Sequence, residues 1–154
     1  MKMSQELKQA QANMQPGVIL PGGFLGSDVR PLADIIAADE AAMRHLGLDW
    51  TELADRMRLL LGAGLTGLGE PVAVGDHWRV VASDTRGRLA SPWEDGLFGK
   101  ETVTVSLADG QSLVFNELCV FLAERHHFLQ GRGSPFRLEP EDLARVLFPG
   151  GHHA

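Results

Sequence analysis

The sequence is poor in cysteine, tyrosine and positive charge. A single cysteine in 154 residues excludes an intramolecular disulfide framework and any zinc or iron–sulfur site that needs several thiolates from one chain. Tyrosine is absent, and 14 lysine and arginine residues face 20 aspartate and glutamate residues, which gives a net charge of −6. This balance argues against a general affinity for nucleic acid or anionic lipid. We therefore expect no nucleic-acid partner and no membrane partner.

Long apolar runs and export signals are also missing. The first residues, Met-Lys-Met-Ser-Gln-Glu, lack the apolar segment of a secretory signal. The longest uncharged stretch, residues 9–27, carries glutamine, asparagine, proline and glycine residues that would be costly in hydrocarbon. We therefore expect a cytoplasmic protein with no transmembrane helix.

The length and the 44% hydrophobic content are those of one globular domain. Residues 3–14 are rich in glutamine and predict a frayed amphipathic helix, followed by a loop. From these patterns we predict a flexible N-terminal segment over residues 1–26, a single domain over 27–149 and a disordered tail over 150–154. The 18 glycines predict many turns and short elements.

Two helical patterns follow the N-terminal segment. Residues 31–46 place apolar side chains at helical spacing. Asp49 with Glu52 three residues later has the spacing of a capping box. The apolar stripe after it predicts a second helix that stops at Gly62 and Gly64. The short connection between the two patterns predicts a helical hairpin.

Residues 70–115 predict antiparallel strands. Apolar and polar residues alternate on both sides of a turn at 75–76 and again around a turn at 108–110, so we predict two hairpins. Helical patterns return over 117–130 and from Pro140 onward. The order of elements predicts an α+β fold, in which the helical hairpin and the C-terminal helices pack on an antiparallel sheet.

Two segments resemble the consensus sequences of phosphate-binding motifs but lack the secondary-structure order or the residues that those motifs require. Residues 62–67 read Gly-x-Gly-x-x-Gly, but a helix precedes them and a strand follows, the reverse of the dinucleotide-binding order. Gly99 and Lys100 resemble the end of a P-loop, but Glu94 stands where its first glycine belongs and Glu101 where serine or threonine would bind magnesium. We therefore predict no nucleotide site from either string.

Cys119 and His126 lie seven residues apart, so they share one face of a predicted helix. With His77, or a carboxylate, they could complete a zinc site and serve a metal-dependent hydrolase. The alternative is a core role, because Leu122 and Leu129 lie on the same predicted face and cysteine is among the most buried residue types. We favour the core role and keep zinc as the alternative cofactor.

Residues 91–100 follow a short predicted strand at 88–90 and combine aromatic residues with proline, glycine and charge. Aromatic anchors on loops are typical of recognition surfaces, so Trp93, Phe98 and Lys100 are candidate binding residues. The alternative is a lid, with both aromatic rings folded onto the sheet, because exposed rings would lower solubility.

No coherent catalytic motif is found in the sequence, so we expect a non-catalytic binding or regulatory module that contacts another protein or its own copy. Two alternatives stay open. One is the zinc protein built on Cys119, His126 and His77. The other is a small-molecule site between the helical hairpin and the sheet, where α+β interfaces often leave a pocket.

Overall fold

A computed structural model describes residues 3–151 of the protein. Within that range the chain forms five helices, a four-stranded sheet and a two-stranded sheet, and the predicted α+β class is confirmed. In chain order the elements are α1 (Gln5–Asn13), α2 (Leu32–Leu46), α3 (Trp50–Leu65), β1 (Val72–Val74), β2 (Trp78–Ala82), β3 (Arg88–Ala90), β4 (Leu97–Gly99), β5 (Thr102–Ser106), β6 (Ser112–Asn116), α4 (Glu117–His126) and α5 (Pro140–Leu147).

The main sheet has the strand order β1-β2-β5-β6, and all its neighbours are antiparallel. Both predicted hairpins are present, with Val72 opposite Val80 and Val103 opposite Phe115. Period-two alternation puts Val80, Val103 and Phe115 on one face, where each is fully buried. Helices α3, α4 and α5 pack there, so the apolar face of the sheet forms the main core.

A second apolar cluster lies on the other side of α4. It joins α1, α2, the β3–β4 hairpin and the segment that follows α4. Leu118 and Leu122 of α4 belong to this second cluster, whereas Cys119 and Ala123 belong to the main core. Helix α4 therefore separates two cores and is the element against which the β3–β4 hairpin is positioned.

Two predicted helix ends were wrong. Helix α3 continues past Gly62 and Gly64 to Leu65, because Gly64 is a packing residue: a Cβ there would lie 2.6 Å from Cγ1 of Val80. Helix α4 ends at His126 and not at Gln130, because His127 takes a left-handed conformation (φ 54°) and closes the helix by donating to the carbonyl of Ala123. The Gly-x-Gly-x-x-Gly string thus lies at the end of a helix.

Several contacts tie the N-terminal segment to the rest of the chain, and Gln11, Asn13 and Met14 make three of them. Met14 is fully buried in the second cluster. The side-chain oxygen of Gln11 accepts a hydrogen bond from the backbone N–H of Leu32 at 2.8 Å, which caps the start of α2. Asn13 donates to the carbonyl of Pro92 at 2.8 Å. The flexibility predicted for residues 1–26 stays a prediction, and most of the predicted tail, residues 152–154, lies outside the described residues.

A network of ion pairs joins α2 to the segment between α4 and α5. The guanidinium of Arg137 donates to both oxygens of Asp39, at 2.6 and 2.9 Å, and also to Glu139 and the carbonyl of Gln130. Asp39 and the side chain of Arg137 are both buried. The pair of Arg137 and Asp39 therefore links α2 to the segment between α4 and α5.

Among residues 3–151, no helix has the length and apolar content needed to cross a membrane.

Candidate functional site

The segment between β3 and β4 is a tight, hydrogen-bonded turn. The backbone N–H of Ser91 donates to Gly96 O at 3.0 Å, and that of Glu94 donates to Ser91 O at 2.9 Å. The hydroxyl oxygen of Ser91 accepts from the N–H of Trp93 at 3.1 Å. The sequence predicted a loop over 91–100, but Leu97–Gly99 form β4, which pairs with β3. These hydrogen bonds define the backbone conformation of the hairpin and therefore the positions of the side chains on its outer face.

Both aromatic residues of this hairpin face inward. Trp93 stacks on His126 with ring centroids 3.9 Å apart, and it meets the edge of Phe128 at 5.8 Å. Phe98 stacks on Phe121 at 4.3 Å. Such pairs contribute about 0.5–1.5 kcal/mol each beyond the burial of their area. The two rings are turned inward, as in the lid alternative, but they pack on α4 and the segment after it and not on the sheet onto which the lid was expected to fold.

A hydrogen bond between Asp95 and His126 also holds the turn against α4. Nε2 of His126 lies 2.7 Å from Oδ2 of Asp95. Burial raises the pKa of Asp95, but hydrogen bonds from Ser91 and His126 outweigh it and hold the pKa below its ordinary value. The carboxylate is therefore ionised at neutral pH, so Nε2 of His126 carries the proton and donates it to this bond.

Ser91, Asp95 and His126 do not form a catalytic triad. A serine nucleophile needs the imidazole as its immediate base, with the carboxylate behind the imidazole. Here the carboxylate lies in the middle, since the hydroxyl of Ser91 and the ring of His126 both bond to Asp95. Ser91 is also buried. The three residues thus stabilise the turn and present no exposed nucleophile.

The outer face of the hairpin borders a cleft. Side chains alternate along a strand, so the inward ring of Phe98 places Leu97 outward, where it is 61% exposed. The cleft has a volume of about 420 Å³, within the range of ligand and side-chain pockets. It is lined by apolar Ile19, Ala90, Gly96 and Leu97 and by polar Asn13, Ser91 and Glu94.

Glu94 provides the charge of the cleft. Its backbone is left-handed (φ 59°), a conformation that is rare for residues other than glycine, asparagine and aspartate. Its carboxylate makes no hydrogen bond or ion pair with any residue of the described range 3–151. The turn thus holds an unpaired carboxylate beside the exposed side chain of Leu97.

The candidate residues predicted from the sequence, Trp93, Phe98 and Lys100, lie in or beside this hairpin, and the residues of its outer face were not among them. Ile19, Glu94 and Leu97 line the cleft, whereas Trp93 and Phe98 anchor the turn from behind. Lys100 lies at the base of the hairpin, where its N–H donates to Gly87 O at 3.0 Å, and it does not line this cleft. The available signal was the alternation from Leu97 to Phe98, which places one apolar residue on each face.

The three candidate zinc ligands are placed in different surroundings. Cys119 is buried in the main core, and burial raises the pKa of its thiol to about 12. His126 is bound to Asp95 and Trp93. His77 is exposed beside Trp78, at the turn between β1 and β2. Over residues 3–151, no group of three or more histidine, cysteine, aspartate or glutamate side chains is arranged to hold a metal ion.

A small-molecule site between the helical hairpin and the sheet was the second alternative, and the central part of the interface between α3 and the sheet is filled by side chains. Met57 and Leu60 of α3 are fully buried in the main core with Val80 and Val103. Near the C-terminal end of α3, Gly64 lies so close to Val80 of β2 that the helix and the sheet are in direct contact.

A second histidine repeats the anchoring arrangement on another side of α4. His127 stacks on Trp50 at 4.3 Å, and its Nδ1 lies 2.7 Å from Oε2 of Glu40. The C-terminal end of α4 is thus fixed in two directions, toward the β3–β4 hairpin by His126 and toward α2 and α3 by His127.

No protein-family model, no curated protein and no solved structure matches the chain. The function is therefore argued from the geometry of the cleft beside the β3–β4 hairpin.

Proposed function

We propose that the protein is a non-catalytic, cytoplasmic binding module that recognises a segment of another protein in the cleft beside Leu97. The exposure of Leu97 on the wall of this cleft carries the proposal. A leucine that is held in solvent by a rigid turn loses the free energy of burial, about 1.5–3 kcal/mol, unless a partner covers it. Ile19 and Ala90 extend the apolar surface that such a partner would bury.

The construction of the site supports a recognition role. Interfaces gain affinity when the contact residues are already held in their bound arrangement. Behind Leu97, the stacked rings of Trp93 and Phe98 fix the turn to α4. On the opposite wall, the hydrogen bond from Asn13 to Pro92 fixes α1 to the same turn. The backbone of the turn that carries Leu97 and Glu94 is therefore already held in place before a partner binds.

The charge of the site indicates the chemistry of the partner. Glu94 presents an unpaired carboxylate at the cleft, and the whole chain carries a net charge of −6. Complementary charge increases the rate of encounter and suppresses partners of like charge. The proposed ligand is a protein segment with an apolar side chain for the cleft and a neighbouring lysine or arginine for Glu94.

The test uses a displayed library of random peptides selected on the wild-type chain. We expect enriched peptides to combine an apolar residue with a basic neighbour. Their affinity should fall about tenfold or more for Leu97→Asp, as for other central interface residues. It should also fall for Glu94→Lys. Val29→Asp is the control, because Val29 is an aliphatic residue that is still more exposed than Leu97 but does not line the cleft. Equal affinity for wild type and Leu97→Asp would overturn the proposal.

A further inference from the structure

The turn that joins α3 to β1 presents a leucine to solvent. Leu68 is 92% exposed and has a φ of 50°, and Gly69 follows with a φ of 94°. The N–H of Glu70 donates to Gly67 O at 2.9 Å, so Gly67–Glu70 form a β-turn whose two central residues both have positive φ. Such turns favour asparagine, aspartate or glycine at the first central position. Leucine is therefore an unfavourable residue at this position of the turn.

The position of Leu68 is fixed by its neighbours. A Cβ on Gly67 would lie 2.3 Å from Glu70 O and 2.6 Å from Cγ2 of Val72, so only glycine allows this close approach. The N–H of Gly67 also donates to Gly64 O at 3.1 Å, which joins the turn to the end of α3. The leucine thus projects from a backbone that is held on both sides.

A cleft of about 480 Å³ lies beside this leucine. Leu65, Leu68 and Ala82 contribute its apolar wall, and Ser83, Asp84, Arg86 and Glu101 contribute polar groups. A projecting apolar side chain and a cleft that could accept one are therefore neighbours on one surface.

The charges beside this cleft include both signs. Lys100 N donates to Gly87 O at 3.0 Å, next to the Arg88–Gly99 end of the β3–β4 pairing. Arg86 and Glu101 lie on either side of this bond in the sequence, and both line the cleft. Neither side chain makes an ion pair or hydrogen bond with any residue between 3 and 151. The surface thus carries one unpaired cation, Arg86, and two carboxylates without a partner among residues 3–151, Glu101 and Asp84.

We propose that a second copy of this chain covers this surface across a two-fold axis. In such a contact both copies use the same patch, so the patch must be complementary to itself. It therefore needs both a projecting side chain and a cleft that accepts one, and both a cation and an anion. Leu68 of each copy would enter the cleft of the other, and Arg86 would pair with Glu101 in both directions. A stable interface buries about 800 Å² per partner, which is close to one tenth of the accessible surface of this chain, 8192 Å².

Sedimentation velocity of the full chain over a wide range of concentrations tests this proposal. We expect a shift from monomer to dimer as concentration rises, and loss of that shift in Leu68→Asp. Aspartate accepts a positive φ more readily than leucine, so this variant should keep its fold and its circular dichroism spectrum. Val29→Asp is the matched control and should dimerise like the wild type. A wild-type chain that stays monomeric at every concentration would overturn the proposal.

Charge exchange gives an independent test of the same contact. Arg86→Glu and Glu101→Arg should each weaken the dimer, and the double variant should restore it. Failure of the double variant to restore dimerisation would reject the proposed pairing, as would a Leu68→Asp chain that dimerises normally. Leu97→Asp should dimerise like the wild type while it loses peptide binding, so this surface and the cleft beside Leu97 can fail separately.

Discussion

The imidazole of His126 lies parallel to the indole of Trp93, with an angle of 5° between the planes and 3.9 Å between the ring centroids. The same imidazole binds the carboxylate of Asp95 at 2.7 Å. Trp93 and Asp95 flank Glu94, so one ring on α4 holds both neighbours of the unpaired carboxylate. The orientation of the proposed binding surface therefore depends on the C-terminal end of α4.

Replacement of Trp93 by alanine should loosen the hairpin. Trp93 is half-buried, so we expect a loss of about 2 kcal/mol in the free energy of unfolding, less than for a fully buried tryptophan. Peptide binding should weaken together with stability. Urea denaturation and a binding titration measure the two effects. Trp93→Phe keeps a ring on His126 and should retain most of both properties, and an alanine variant with wild-type binding would contradict the anchoring role.

Asp28 should make the protein sensitive to acid. A bidentate hydrogen bond from Arg30 holds the pKa of Asp28 well below its ordinary 3.8, against the opposing effect of burial and with help from the N–H of Arg132. Because the folded pKa is below the unfolded pKa, this contribution is complete above the unfolded value and is lost as pH falls toward the folded value.

Asp28→Asn is therefore expected to be less stable than wild type at neutral pH by about 1–2 kcal/mol. The difference should shrink as the pH is lowered below the ordinary pKa of an aspartate, because the wild-type carboxyl is then protonated too. Urea unfolding at a series of pH values checks this. A difference that stays constant into acid would show that the ionised form of Asp28 contributes no stability.

The buried pair of Arg137 and Asp39 should be costly to break. Arg137→Ala leaves the carboxylate of Asp39 buried without its partner, which typically costs about 3–5 kcal/mol. Arg145→Ala is the control, because the pair of Arg145 with Asp142 is exposed and such pairs contribute about 0–1 kcal/mol. Thermal unfolding of both variants gives the comparison, and equal effects would contradict the structural role assigned to Arg137.

Cys119 should be unreactive in the folded protein. It is buried and its pKa is raised to about 12, so little thiolate is present at neutral pH. We expect a thiol reagent to label it only after unfolding in denaturant, and added zinc to leave both labelling and stability unchanged. Rapid labelling of native protein that zinc suppresses would favour the zinc site with His126 and His77.

Much of the fold was readable from local patterns. The capping pair of Asp49 with Glu52 predicted the start of α3, where the side chain of Asp49 does accept from the N–H of Glu52. The alternation around 75–76 and 108–110 predicted both hairpins of the main sheet. These signals act over a few residues, so they do not depend on the rest of the chain.

The features that sequence reasoning missed depend on contacts between distant residues. The sequence predicts a helix stop at Gly64, but the approach of Val80 from the sheet gives this glycine a packing role inside the helix. Trp93 was a candidate contact residue, but the ring of His126, more than thirty residues away, determines which way it faces. The exposure of Leu97 follows from the stacking of Phe98 on Phe121 and could not be predicted before the partners of the hairpin were known.

Binding of a protein segment in the cleft beside Leu97 would change the chemical environment of the residues that line it. The most direct test is a titration of isotope-labelled protein with a peptide selected on the wild-type chain, followed by backbone amide NMR. We predict that the shifted amides cluster at the cleft, including Ile19, Glu94 and Leu97, and that the shifts vanish in Leu97→Asp. Shifts that cluster instead on the outer face of the main sheet, or at the turn of Leu68, would contradict the assignment of this cleft as the binding site.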